Sequence, residues 1–358
     1  MKTINTYTIQ QWLFAEAEGQ FETDLAESGI QYHYFHDLDL SKNYDLNYSL
    51  DRGKLALREL IAAMYGVATE QVTITHGAQE ALYLFYRSFL TNKDHMITFA
   101  PGWQQAWEVP HCIGSEVTLL QLSATNDYRI DMAQLEKSIK PNTKLINLIN
   151  PCNPTGVGLT DQEWKQLINL ANSKGIFLLA DEEYYTDYSS SLVNRYDNSA
   201  IVSSLSKVYG FPGLRLGWFI SSKDLVEDVV NYRRYTSVSN SSLCEYLAMQ
   251  VLQQREQHLA HYQQIVNEGY KILDRYLSTD LPFALIKPAQ TPFVYLKTAA
   301  DLDSNQFCKE LLQKHKVLLM PGEVFADSHA LRISIGRPEE ILTHGLDKLV
   351  ELYRDNYE

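Results

Sequence analysis

Cysteine is scarce in this chain. Cys112, Cys152, Cys244 and Cys308 are the only four among 358 residues. They lie far apart and form no CxxC pair, so neither a disulfide framework nor a zinc site is indicated. Positive charge is short as well: 31 Lys and Arg stand against 44 Asp and Glu, a formal net charge of −13. A chain this acidic repels phosphate backbones and anionic lipid, so no nucleic acid and no membrane is expected as a partner. No apolar run approaches the length of a membrane span. The start, MKTINTYTIQQWLFAEAEGQF, has no basic stretch followed by an apolar one, so no signal peptide is read there. A reducing, cytoplasmic setting is the expectation. Internal repeats and low-complexity stretches are absent too.

What is present is a large apolar complement, 45% of residues, enough for a buried core with a smaller satellite. Residues 8–18 read as a helix opening at Thr8 and closing at Gly19. Residues 20–50 read as irregular. KLALRELIAAMY (54–65) reads as a helix stopped by Gly66. Strands are then expected at 71–75, 96–100, 116–122, 144–149 and 176–180, with a helix over 78–90. Thr160 and Glu163 form a capping-box pattern at the start of another. Wholly apolar strands between amphipathic helices indicate a mostly parallel central sheet covered on both faces. After about residue 240 a long helical stretch leads to short strands at 283–296, 316–320 and 331–335, with helices near 304–315 and 338–353. The expected fold class is α/β with a smaller α+β domain. Residues 48–240 form the large domain, and 241–358 with the N-terminal segment 1–47 form the small one.

Several segments carry groups suited to chemistry. Lys207 lies in SSLSKVYGFPGLRLGW (203–218), after a strand end and before a glycine-rich loop. A lysine in a desolvated pocket serves as nucleophile and then as base. Asp181, in LADEEYY, ends a buried apolar strand, where a carboxylate needs a cation. NPCNPTG (150–156) is a rigid turn that aims the Asn153 amide, and Tyr184 follows Asp181 closely. THGAQEAL (75–82) places Gly77, Ala78 and Gln79 at a helix start, where free N–H groups and the helix dipole suit an anion. Ser204, Ser206 and Arg215 add donors. Trp103, in APGWQQAW, supplies a ring face. Each feature alone has an ordinary reading: a solvated loop lysine, a helix cap, a tight turn, a core tryptophan. Together they supply what pyridoxal 5′-phosphate requires, namely a Schiff-base lysine, an acid for the ring nitrogen, donors for the ring hydroxyl, a phosphate cradle and a stacking face.

GAQEALY, PGW, NPCNPTG, DEEY, SLSKVYGFPGLRLGW and VLLMPGEVF…LRIS resemble, in order and spacing, the class I/II aminotransferases of fold type I, over almost the whole chain. The resemblance implies a pyridoxal-phosphate-dependent transferase fold of type I. It implies that Lys207 links to the cofactor and that Asp181 pairs with the ring nitrogen. Asn153 and Tyr184 would contact the ring hydroxyl, Ala78, Gln79, Ser204 and Arg215 the phosphate, and Trp103 the ring. Arg332, in LRIS, would take the substrate α-carboxylate with a bidentate fork. Tyr48, five residues before Gly53, resembles the tyrosine that crosses a dimer to the partner's phosphate, so a homodimer is implied.

One departure points further. Where ordinary members have Leu-x-x-Gly-x-Pro, this chain reads TDLAESGIQYHYFHDL (23–38) without the proline. That segment, with QQWLFAEAEGQF, is similar to the arginine cyclases of the capreomycidine-synthase type. Tyr184 stands where a phenylalanine is expected in capreomycidine synthase, so the likeness is to a relative. It implies a substrate that bears a guanidino group, with Ser28 and Gly29 beside it. The implied reaction converts γ-hydroxyarginine to L-enduracididine, as in guanitoxin biosynthesis, by proton loss at Cα and Cβ, loss of water and attack by the guanidine. Glu16, Glu18, Glu22, Asp24 and Glu27 are candidate partners for the guanidinium, against an ordinary solvated acidic face. The alternative is an aminotransferase acting between an amino acid and a 2-oxo acid. A non-catalytic regulator on the same domain would carry a basic helix-turn-helix, and no such pattern precedes residue 54.

Overall fold

The computed structural model describes residues 3–40, 44–279, 281, 283–286, 290–298 and 302–357. Seven strands form the large sheet: β1 (Val72–Thr75), β2 (His95–Ala100), β3 (Glu116–Gln121), β4 (Thr143–Ile149), β5 (Phe177–Asp181), β6 (Ser199–Ser204) and β7 (Gly217–Ile220). Their order is β1-β7-β6-β5-β4-β2-β3. β7 runs antiparallel to both neighbours and every other pairing is parallel. Alternation along each strand feeds two cores. Leu178 and Ala180 of β5 join Ile146, Leu148 and Ile201 on one face. Phe177 and Leu179 join Leu145, Ala200 and Val202 on the other. Burial of both faces explains why these strands read as unbroken apolar runs.

The helices follow local signals. Helix Leu55–Tyr65 ends at Gly66, which sits at φ 69°, in the left-handed region that a glycine enters without strain. Helix Asp161–Lys174 opens on the expected capping box: Thr160 accepts from Glu163 N and Glu163 accepts from Thr160 N. The first helix departs from expectation. It is α-helical only over Thr8–Gln11, and Trp12–Glu16 widens into a π turn closed by Ala17 N to Trp12 O at 3.0 Å. Trp12 is buried there, and its indole N–H donates to Leu319 O at 2.8 Å. The long stretch after 241 is two helices, Ser242–Gln253 and Arg255–Thr279.

A second sheet runs Met320–Pro321, Ala330–Ser334, Phe293–Lys297, Ala284–Leu285, all antiparallel. Thr23–Asp24 pairs in parallel with Val317–Leu318, which gives the otherwise irregular 20–50 segment its one short strand among the described residues. A third core gathers Ile9, Trp12 and Leu25 with Leu311, Leu331 and Leu346, so the start and the end of the chain share one interior. Helix Arg255–Thr279 bridges the two units: Tyr262, Ile265 and Val266 pack on the large core, Ile272 and Leu273 on this one. None of the described helices is long and apolar enough to cross a membrane.

Candidate active site

Lys207 sits just past the end of β6, in a loop closed by Leu205 N to Leu216 O and Phe211 N to Leu205 O, both at 2.9 Å. An N-terminal strap, residues 24–33, lies against this loop. Ile30 N donates to Lys207 O at 3.3 Å and His33 N to Gly210 O at 2.9 Å. A Cβ at Gly29 would stand 3.1 Å from Ser206 O and 3.3 Å from the Lys207 Cα, so a side chain here would crowd the backbone of the Lys207 loop. Next to it, Glu27 accepts from Lys207 Nζ at 2.6 Å. Burial pushes the Glu27 carboxyl up, but Lys207, Arg337 and Arg332 outweigh it and hold it down at about 2.

Both residues line a cavity that is open to solvent. Asp181, the last residue of β5, faces into it and is 8% exposed. Its register partners are Ile149 and Val202, so it stands at the carboxyl ends of three adjacent strands. Burial pushes its carboxyl well above the usual range, and the neighbouring Glu183 pushes the same way. Glu183 also lines the cavity. Its carboxyl is raised by burial, while the Ser204 hydroxyl (2.8 Å), Lys207 and Arg215 pull against that. Glu182 points away: it accepts from Ser191 Oγ at 2.7 Å and Leu192 N at 2.9 Å, and burial raises it to about 7.

Asn153, Tyr184, Ser28 and Arg332 form one chain of hydrogen bonds. Asn153 Nδ2 donates to the Tyr184 hydroxyl at 3.3 Å, and that hydroxyl donates to Ser28 Oγ at 3.0 Å. Arg332 Nη1 donates to Asn153 Oδ1 at 2.7 Å and Nη2 to Ala26 O. Arg332 Nε is buried with no hydrogen-bond partner among the described residues. Trp103 lines the same cavity, with its ring edge-on to Tyr7 at 5.9 Å.

Across the cavity, Gly77 opens helix Gly77–Phe89 at φ 75°. A Cβ there would stand 2.9 Å from Arg215 Nη2, so the guanidinium packs directly over the helix start. Ala78, Gln79, Ser206 and Arg215 line this corner. First-turn N–H groups have no partner within a helix, and with a guanidinium above them they make an anion site.

Ser204, expected at the phosphate, is not among the residues that line the cavity. The Ser204 hydroxyl donates to Glu183 Oε2 and accepts from Ser206 N at 3.0 Å, so it is spent on holding the strand end. Tyr48 is 88% exposed and lines a separate surface hollow with Ser237 and Asn240. Of the N-terminal acids proposed for a guanidinium, Glu27 alone lines the cavity. Glu183 and Arg337 had been given no role. The acid doublet following Asp181 was the one available signal for Glu183.

Lys207, the buried Asp181 carboxyl and an anion corner, converging at the carboxyl ends of parallel strands, fit pyridoxal 5′-phosphate. They define a lysine-dependent cofactor enzyme. The family model for aminotransferase class I and II matches residues 22–349, and the chain belongs to that family. It is a pyridoxal-5′-phosphate-dependent enzyme of the aminotransferase fold. Similar proteins include an aspartate aminotransferase of Thermotoga maritima, 26% identical over 85% of this chain and 83% of its own length. Capreomycidine synthase of Streptomyces vinaceus is 26% identical over 96% of this chain and 92% of its own. Among solved structures, a PLP-dependent aminotransferase of Streptococcus suis superposes with a TM-score of 0.94 at 29% identity, with all of both chains covered. The PLP-dependent cyclase OrfR has the same fold, with a TM-score of 0.89 at 23% identity over 99% of this chain and 98% of its own.

Proposed function

We propose that this enzyme cyclises a hydroxylated L-arginine, γ-hydroxyarginine to L-enduracididine, using the residues of this cavity. The observation that carries the proposal is Glu27: a carboxylate brought by the N-terminal strap to within 2.6 Å of Lys207 Nζ. Glu27 is held ionised at the cavity wall, which suits a substrate with a cationic side chain. The likeness to capreomycidine synthase over 96% of the chain supports the same reading.

The roles follow from placement. Pyridoxal 5′-phosphate, when bound, supplies an electron sink for charge developing at the substrate Cα. Lys207 would link to it and later remove the Cα proton. Asp181 would keep the ring nitrogen protonated, which offsets the cost of its own burial. Asn153 and Tyr184 would donate toward the ring hydroxyl, and Trp103 would cover the ring. Gly77, Ala78, Gln79, Ser206 and Arg215 would hold the phosphate. Arg332, with its free Nε, would take the α-carboxylate beside Ser28 and Gly29. Proton loss at Cα and Cβ lets the γ-hydroxyl leave as water, and the substrate guanidine then attacks Cγ.

A homodimer belongs to the same proposal, because Tyr48 is 88% exposed and its neighbour Leu46 75% exposed in the single chain. A monomeric mass by light scattering would contradict it. The reaction itself is tested by mass spectrometry of the holoenzyme with hydroxylated arginines. A product that has lost water and kept its amine is expected. A 2-oxo acid formed with an added amino acceptor overturns the cyclase reading in favour of an aminotransferase.

A further inference from the structure

The contact between Glu27 and Lys207 is built rather than incidental. Asp24 Oδ1 accepts from Ala26 N at 2.8 Å and from Glu27 N at 3.1 Å, which folds the strap into a tight turn. Gly29 N donates at 3.0 Å to Glu27 Oε1, the same oxygen that meets Lys207. Arg337, 5% exposed, donates to the carbonyls of Asp24, Glu27 and Gly29 at 3.0, 3.3 and 2.9 Å. The lysine end is anchored as well, by Ile30 N on Lys207 O. The carboxylate therefore has a fixed address beside a lysine nitrogen, and the field of Arg337 and Arg332 helps to keep it ionised.

We propose that Glu27 is a positioning residue for Lys207: its carboxylate is the resting place of the lysine nitrogen and holds a proton there. The proposal rests on the reading that Lys207 carries the cofactor. When Lys207 takes the proton from the substrate Cα, the C–H bond breaks, an N–H bond forms and the electron pair stays with the carbon skeleton. The resulting ammonium is then held at Glu27. The carboxylate steadies that ammonium by Coulomb attraction until the proton is returned to carbon.

The test uses the colour of the cofactor-loaded protein without substrate. The lysine–cofactor link absorbs at long wavelength when its nitrogen is protonated and in the near ultraviolet when it is not. An anion beside the nitrogen favours the protonated form and raises the pH midpoint of the change. Removing it lowers the midpoint. Glu27→Gln, nearly the same shape and folded as judged by its melting curve, is expected to lower the midpoint by about one unit or more. Glu27→Asp, which keeps the charge but draws it back by one methylene, is expected to fall between Glu27→Gln and the unaltered protein. A purely structural role would leave the midpoint alone. Unchanged midpoints in both variants, in protein that is coloured before substitution, overturn this proposal and spare the assignment of Lys207. A colourless unaltered protein after loading overturns that assignment and this proposal with it.

Discussion

Arg332 already uses two of its nitrogens, on Asn153 Oδ1 and on the Ala26 carbonyl, and keeps Nε free in a buried setting. A guanidinium so fixed presents a charged donor at no further conformational cost. Lysine has neither the fork nor the reach to replace all three contacts. Arg332→Lys is expected to raise the KM for amino-acid substrates by tens of fold, about 2 kcal/mol of charge-assisted hydrogen bonding, with kcat less affected. Steady-state kinetics on loaded protein check it, and an unchanged KM would remove Arg332 from the substrate site. At this scale Asp181, Asn153, Tyr184 and Lys207 could be singled out because each lies at a strand end or turn with a local pattern, and the fold brings all four to one cavity. Glu27 was not separable from its acidic neighbours, because its contact with Lys207 spans 180 positions and no local period encodes it. Ser204 was misplaced for a related reason: a serine at a strand end says nothing about the Glu183 carboxylate that claims its hydroxyl.

The elements that carry the site are those whose burial on both faces left an apolar run. β5 could be read from IFLLA, and its length placed Asp181 at the mouth of the cavity. The antiparallel β7 was not read, since its four residues follow a loop and carry no period of their own. The π turn at Trp12–Glu16 was read as ordinary helix, because the widening answers a tertiary demand, the burial of Trp12 against Leu319. Directly after β5, Glu182 makes a testable element-scale contribution. Its carboxyl is raised from the usual 4.5 to about 7 in the folded chain. Between those values the folded state keeps a proton that the unfolded state has lost. Stability therefore falls as pH rises through that window, by up to about 3 kcal/mol. Glu182→Gln is expected to flatten the fall in melting temperature between pH 5 and pH 8. Parallel curves for the two proteins would contradict it.

Across the whole molecule, the cavity exists because the N-terminal strap crosses from one core to the loop of the other. Leu25 packs in the core shared with the C-terminal helix, while the Gly29 Cα lies against Lys207. Arg332 and Arg337 reach the same strap from the small sheet and the turn beyond it. The parallel sheet and the α+β tail were legible from composition and period. The crossing was not, since it joins residues near 27, 207 and 335 that share no local pattern. This crossing sets the chain's substrate side apart from its cofactor side. On the proposed reading, the cofactor side depends on a strand-end acid, a helix start and one lysine. That lysine can be identified directly. Loaded protein is treated with borohydride, digested and sequenced by mass spectrometry. The account predicts a phosphopyridoxyl group on the peptide containing Lys207 and on no other. The same group on a different lysine, or on none, would contradict it.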